Sequence, residues 1–181
     1  MITKSIDVLE RYEVRKTKKQ KTAFISAVTA YAERQRYTVR VEEGKMGCRN
    51  IVIGDPKRAD YLLTAHYDTP ASIGLPNFIT PCNPVVFLLW QLFILIPFFL
   101  AAFVAGLLVS FVTESEILIF WAAYITYMGL LLLMMFGPAN RHTANDNTSG
   151  VVTVLETMST MPDHLRDQVC FVLFDLEEAG L

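Results

Sequence analysis

The sequence predicts an α/β domain, with a mixed sheet and flanking helices, interrupted by a two-helix transmembrane hairpin. Three observations carry that reading. Short runs rich in β-branched and aromatic residues alternate with helix-forming segments; two long runs lack any charged side chain; and the residues with chemical potential sit at the ends of apolar runs on both sides of those long runs.

The elements follow in order. From about Ser5 to Arg36 the chain favours helix, with Phe24, Ala27, Val28 and Tyr31 at three- and four-residue spacing on one face. The basic run "RKTKKQK", residues 15–21, lies inside this region. It fits anionic lipid headgroups beside the hairpin, and it fits equally a solvated helix face or a turn between helices. Three β-like runs come next: "YTVRV" (37–41), "NIVIG" (50–54) and "DYLLTAH" (60–66), separated by the turn-forming "EEGKMG" and "GDPKRAD". Beyond the apolar runs, "SGVVTVLETMSTM" predicts a helix starting near Thr148 or Ser149. "DQVCFVLFD" (167–175) predicts a buried strand.

Composition locates the membrane segments. Of the 181 residues, 52% are hydrophobic, above the roughly 45–50% of soluble domains, and the mean hydropathy is +0.35. The surplus lies in Pro84–Val112, 29 residues without a charge, and in Ile117–Phe136, 20 residues of the same kind. About 20 helical residues cross a hydrocarbon core of about 30 Å. Only "TESE" (113–116) lies between them, so the two runs form a helical hairpin. Pro97 and Gly106 are tolerated in such a helix, and Trp90, Trp121, Tyr124 and Tyr127 are candidates for the interface. The predicted organisation is therefore 1–83, the hairpin 84–136 with spans 84–112 and 117–136, and 137–181. A hairpin returns the chain to the side it left, so the two flanking parts can fold together. Residues 1–40 hold no continuous apolar core of a secretory signal, and the first span is expected to direct insertion. The acidic TESE tip, with Arg141 and the Lys-rich amino-terminal region on the other side, places both flanking parts in the cytoplasm of an integral membrane protein.

Other classes recede. A net charge of -2 gives no general basic excess for nucleic acid. Cys48, Cys82 and Cys170 are odd in number and widely spaced, which reads as reduced thiols. The expected partners are the lipid bilayer and, from the residues below, a peptide substrate; oligomeric state has no signature here.

The chemistry resides in three short segments. His66 and Asp68 in "TAHYDTP" follow an apolar run, Asp146 in "ANDNTSG" precedes a helix, and Glu177 and Glu178 follow the last strand. Taken singly each has a plainer reading: a turn with a satisfied histidine, an Asx turn with a helix N-cap, a solvated loop. Together they are the ligand types zinc accepts, placed at element ends where α/β folds bind ligands. An Asp two residues from a His can fix its tautomer. Adjacent glutamates on extended backbone point in opposite directions, so they are expected to do different jobs.

"TAHYDT", "ANDNTSGVVTVLE" and "FVLFDLEEAGL" together resemble the leucyl aminopeptidase-type family of two-zinc exopeptidases. The resemblance implies a partial zinc-exopeptidase-like sheet and a zinc-dependent aminopeptidase with two Zn2+ per complete site. It further implies that His66 binds one zinc with Asp68 orienting it, that Asp146 bridges both, that Glu178 binds the other, and that Glu177 is the general base. Asn145 stands where the family's first acid of "DD" would be. The family's remaining Asp and His ligands come from a carboxyl-terminal half that would follow Leu181. The chain is expected to be an amino-terminal part, inactive alone, whose last strand leaves an unpaired edge. A catalytically inactive membrane protein with a binding or scaffolding role is the alternative. His142 and His164 read as surface histidines.

Overall fold

The computed structural model describes residues 2–72 and 83–179, with the side chains of Asn145 and Ala179 left aside; Cys82 and most of the 69–84 segment lie outside the described residues. The chain divides into two compact units, Met1–Pro70 with Ala139–Leu181, and Ala71–Pro138.

The first unit is a mixed four-stranded sheet with helices packed on one face. Its strands are β1 (Val39–Glu43), β2 (Arg49–Ile53), β3 (Tyr61–His66) and β4 (Val169–Phe174), in the order β1-β2-β4-β3. β1 and β2 form an antiparallel pair, β2 and β4 are antiparallel, and β3 runs parallel to β4. β4 is thus central, not the unpaired edge expected from the sequence. Five successive residues, Val169–Leu173, are buried there, which is why the strand reads as a continuous apolar run and not an alternating one. Phe171 and Leu173 face the helices, while Cys170 and Val172 join Val52 in a smaller cluster. Full burial of such a side chain contributes roughly 1.5–3 kcal/mol.

The covering helices are α1 (Asp7–Arg11), α2 (Lys18–Arg34) and α5 (Ser149–Thr160). α2 buries Phe24, Ile25, Val28, Tyr31 and Ala32 on one face, as its spacing predicts. The helix-favouring stretch from Ser5 to Arg36 is broken at residues 12–17, the turn between helices that is one of the readings of the basic run. Thr17 begins α2 with a capping box: its hydroxyl accepts from the Gln20 N–H, and the Gln20 side chain accepts from the Thr17 N–H at 2.9 Å.

The break also settles where the basic run goes. Arg15 is fully buried in this unit, and Lys21, on the core face of α2, forms an ion pair with Asp175 whose side chains are 9% and 1% exposed. These two cations serve the interior and not a lipid surface. Free Cys170 is buried and free Cys48 half-buried.

The second unit holds α3 (Pro84–Ser110) and α4 (Glu116–Phe136), each long and apolar enough to cross a membrane. Pro84 opens α3, where its missing N–H costs nothing, and the Asn83 side chain accepts from the Val86 N–H at 3.1 Å. Gly106 faces α4, where an added Cβ would make ordinary van der Waals contact, 3.5 Å from Ala123 Cβ and from the Ile119 carbonyl. Phe99 stacks on Tyr127 at 5.1 Å. The Ser110 and Thr126 hydroxyls donate to carbonyls of their own helices, at 2.7 and 2.8 Å. Among the described residues α3 buries only Ile94, Ala102 and Gly106, and α4 buries none, so the apolar faces look outward.

The Lys21–Asp175 pair supplies a test of the first unit. Lys21→Met strands a buried carboxylate and is expected to cost about 3–5 kcal/mol. Adding Asp175→Asn, which keeps an acceptor for nearby backbone N–H groups, should recover part of that loss in denaturant unfolding of the detergent-solubilised chain. Additive losses would mean the two side chains act independently.

Candidate metal centre

β3 and β4 run out side by side, with His66 in register with Phe174. The Tyr67 N–H donates to the Phe174 carbonyl at 2.8 Å, so the strands separate only beyond it. Their carboxyl ends form the rim where parallel strands place a binding site. Half-buried His66 closes β3, buried Asp68 follows two residues later, and the Glu177–Ala179 turn follows β4. Asp146 arrives from the wide turn Ala144–Thr148 that leads into α5 and contains a cis Asp146–Asn147 bond. Gly150 leaves room for the Asn147 side chain, which a Cβ there would meet.

One histidine gathers these groups. His66 Nδ1 lies 3.4 Å from Asp68 Oδ1, and Nε2 lies 3.4 Å from Asp146 Oδ1 and 3.8 Å from Glu177 Oε2. One ligand atom each from His66, Glu177 and Glu178 falls within a mutual 4.8 Å. Donors bound to one tetrahedral zinc, each about 2.0–2.1 Å from it, stand roughly 3.3–3.4 Å apart, which is the His66–Asp146 separation. His66 Nδ1 and Asp68 Oδ1 are buried and face each other, whereas Glu178 Oε1 is buried without a hydrogen-bond partner among the described residues. A buried carboxylate oxygen left in that state favours a cation beside it. The residues therefore fit zinc.

The glutamates meet the histidine by a different route from the one predicted. They do not lie on extended backbone. Leu176 takes a left-handed conformation at φ 61°, and Glu177 and Glu178 enter a tight turn that brings both toward His66. Their environments still differ: Glu177 has a side chain 60% exposed, whereas Glu178 is half-buried.

Two buried carboxylates hold this turn. Asp175 accepts from Lys21 and from the Leu176 N–H (2.9 Å) through Oδ1, and from the Arg49 N–H (3.2 Å) through Oδ2. Its own N–H donates to Asn50 Oδ1 at 2.9 Å. Asp68 accepts from the Glu178 N–H at 3.2 Å through Oδ2 while its Oδ1 faces His66. Sequence reading assigned Asp68 only to the histidine and passed over Asp175, Lys21 and Arg15. A lysine three residues before Phe24 on the same helix face was the available signal for Lys21.

His142 and His164 are exposed, as predicted for surface histidines. Lys16 is half-buried; burial lowers its pKa while Glu178 and Asp68 oppose that.

The electrostatics describe a site waiting for positive charge. Burial works against a charged His66, but Asp146, Asp68 and Glu177 outweigh it and push the imidazole from 6.5 up to about 10. Burial, reinforced by Asp146, Asp68 and Glu177, pushes Glu178 from 4.5 up to about 7 against the pull of His66. Against burial, His66 and the Glu178 N–H hold Asp68 below the usual carboxylate range. For His66 and Glu178 the folded pKa exceeds the unfolded one, so the metal-free fold draws stability from their protons at low pH. That contribution fades as pH rises through about 7 and then about 10. Zinc requires the neutral imidazole and the carboxylate, so its binding releases protons and tightens over the same range. The rise in melting temperature on adding zinc is expected to be small near pH 5.5 and to grow toward about pH 8. An increment that stays flat across that range would contradict this linkage.

Residues 127–181 match the sequence model of Peptidase family M28. The match is consistent with a zinc exopeptidase-type family and with a hydrolase of the metallopeptidase class. No curated protein and no solved structure matches the chain.

Proposed function

We propose that this chain carries part of the two-zinc centre of a membrane-integrated exopeptidase of the aminopeptidase type. The observation that carries the reading is the convergence of His66, Asp146, Glu177 and Glu178. They come from segments on both sides of the apolar helices and meet with spacings and an unpaired buried carboxylate oxygen suited to a divalent cation. The matched stretch, 127–181, includes three of these four residues.

In this reading His66, Asp146 and Glu178 would hold the zinc, and Asp68 would keep the ring of His66 in place from Nδ1. Bound zinc would lower the pKa of the attacking water and polarise the scissile carbonyl. Glu177, the most exposed carboxylate of the group, takes the proton of that water and hands it to the leaving amine. Glu178, half-buried and anchored through its N–H to Asp68, is the better-fixed ligand.

The membrane part of the proposal rests on α3 and α4. Their lengths correspond to about 40 and 32 Å of helix, enough for a core of about 30 Å, and their apolar faces are turned outward. The acidic tip between them and the basic residues of the flanking segments favour a cytoplasmic site with two spans.

The roles are separable. In any form of the protein that turns over chromogenic aminoacyl amides, Glu177→Gln should retain zinc through dialysis and lose turnover by about 10²–10⁴-fold. Glu178→Ala should lose zinc by elemental analysis. Full turnover in Glu177→Gln would remove the general base from this scheme.

A further inference from the structure

The two halves of the centre reach it from distant parts of the chain, and a single buried side chain spans the gap between them. Arg15 is fully buried, and its guanidinium points three ways. Nε donates to the carbonyl of Tyr67, the residue between His66 and Asp68. Nη2 donates to Thr148 Oγ1 at 2.8 Å, two residues after Asp146. Nη1 donates to the Tyr12 carbonyl. The Arg15 N–H adds a bond to Thr69 Oγ1 at 2.8 Å, so backbone and side chain grip the same strand end. Thr143 completes the link: its hydroxyl donates to the Glu13 carbonyl at 2.8 Å and lies 2.9 Å from Thr148 Oγ1.

We propose that Arg15 is a positioning residue which sets the separation between the His66–Asp68 strand end and the Asp146 turn, and thereby the affinity of the centre for zinc. The proposal rests on the metal-centre reading above. Four acceptors, the Glu13 carbonyl at 3.4 Å from Nη1 among them, match the planar fork of a guanidinium and not the compact ammonium of lysine. Every acceptor is a neutral carbonyl or hydroxyl, so the charge of Arg15 is left to act on Asp68 of the centre. The backbone ties between the two segments, Asn140 N–H to the Pro70 carbonyl at 2.9 Å and Ser72 N–H to the Pro138 carbonyl at 2.7 Å, lie before the turn that carries Asp146.

The test measures zinc affinity of the full chain in detergent, with the Co2+ d–d absorption spectrum as a second readout of ligand geometry. Arg15→Lys keeps the charge and is expected to weaken zinc binding by about 10–100-fold, the range typical of groups that orient metal ligands, and to change the Co2+ spectrum. Thr148→Val should shift affinity the same way by a smaller factor, and Thr148→Ser should return most of that loss. The Arg15→Lys and Thr148→Val factors should combine to less than their product, because both remove one bond. A merely structural arginine would lower the melting temperature while leaving both metal readouts of the folded protein unchanged. Zinc affinity within twofold of the parent in Arg15→Lys overturns the proposal. Where that variant fails to fold, parent-like affinity in Thr148→Val does the same. A parent chain that binds no zinc would instead overturn the metal-centre reading itself.

Discussion

The carboxylate of Asp175 is buried at the carboxyl end of the central strand, and the way its charge is satisfied sets the shape of the site. An unpaired carboxylate in that position would be expensive. Lys21 reaches it from the core face of α2, and the N–H groups of Arg49 and Leu176 fill its remaining acceptor positions. The first contact ties the covering helix to the sheet. The second ties β2 to the end of β4. The third closes the backbone around Leu176 and sends the next two residues, Glu177 and Glu178, back toward β3. A single charge therefore couples core packing to the direction in which both glutamates point.

The same logic extends across the rim. Asp68, Asp146, Glu177 and Glu178 crowd about one imidazole, and the arrangement raises the pKa of His66 and of Glu178 together. Like charges so close are tolerated because protons, or a divalent cation, compensate them. Arg15 and Lys21 supply fixed positive charge behind the carboxylates, each bound to groups that anchor a different segment of the site. Buried cations here act on geometry as much as on charge.

Much of this was legible in the residues, and the exceptions have physical causes. The strands were legible because β-branched and aromatic residues cluster between turn formers, and the two long helices because nothing charged interrupts them. His66, Asp68, Glu177 and Glu178 follow apolar runs and Asp146 precedes a helix, and they were identifiable from those positions together with the motifs that carry the resemblance. The turn that reverses the glutamates was not, since it depends on a left-handed Leu176 that an acceptor on Asp175 stabilises. The break in the first helical region was one of the readings left open, but the burial of Arg15 beside it was not legible. A basic run looks solvent-facing until the partners of Arg15 are known, and two of them lie 52 and 133 residues away in the chain. Burial of charge is a property of the tertiary contacts, and no local pattern encodes it. The central position of β4 is of the same kind, because strand order follows from how the segments on both sides of α3 and α4 come together.

The central claim is that His66, Asp146 and the glutamate turn converge on bound zinc. X-ray absorption at the zinc edge of the loaded chain in detergent tests it most directly. The expected result is a first shell of nitrogen and oxygen donors at about 2.0–2.2 Å with imidazole scattering, and no sulfur shell. A shell containing sulfur at about 2.3 Å, which would implicate a cysteine, or the loss of imidazole scattering, would contradict it.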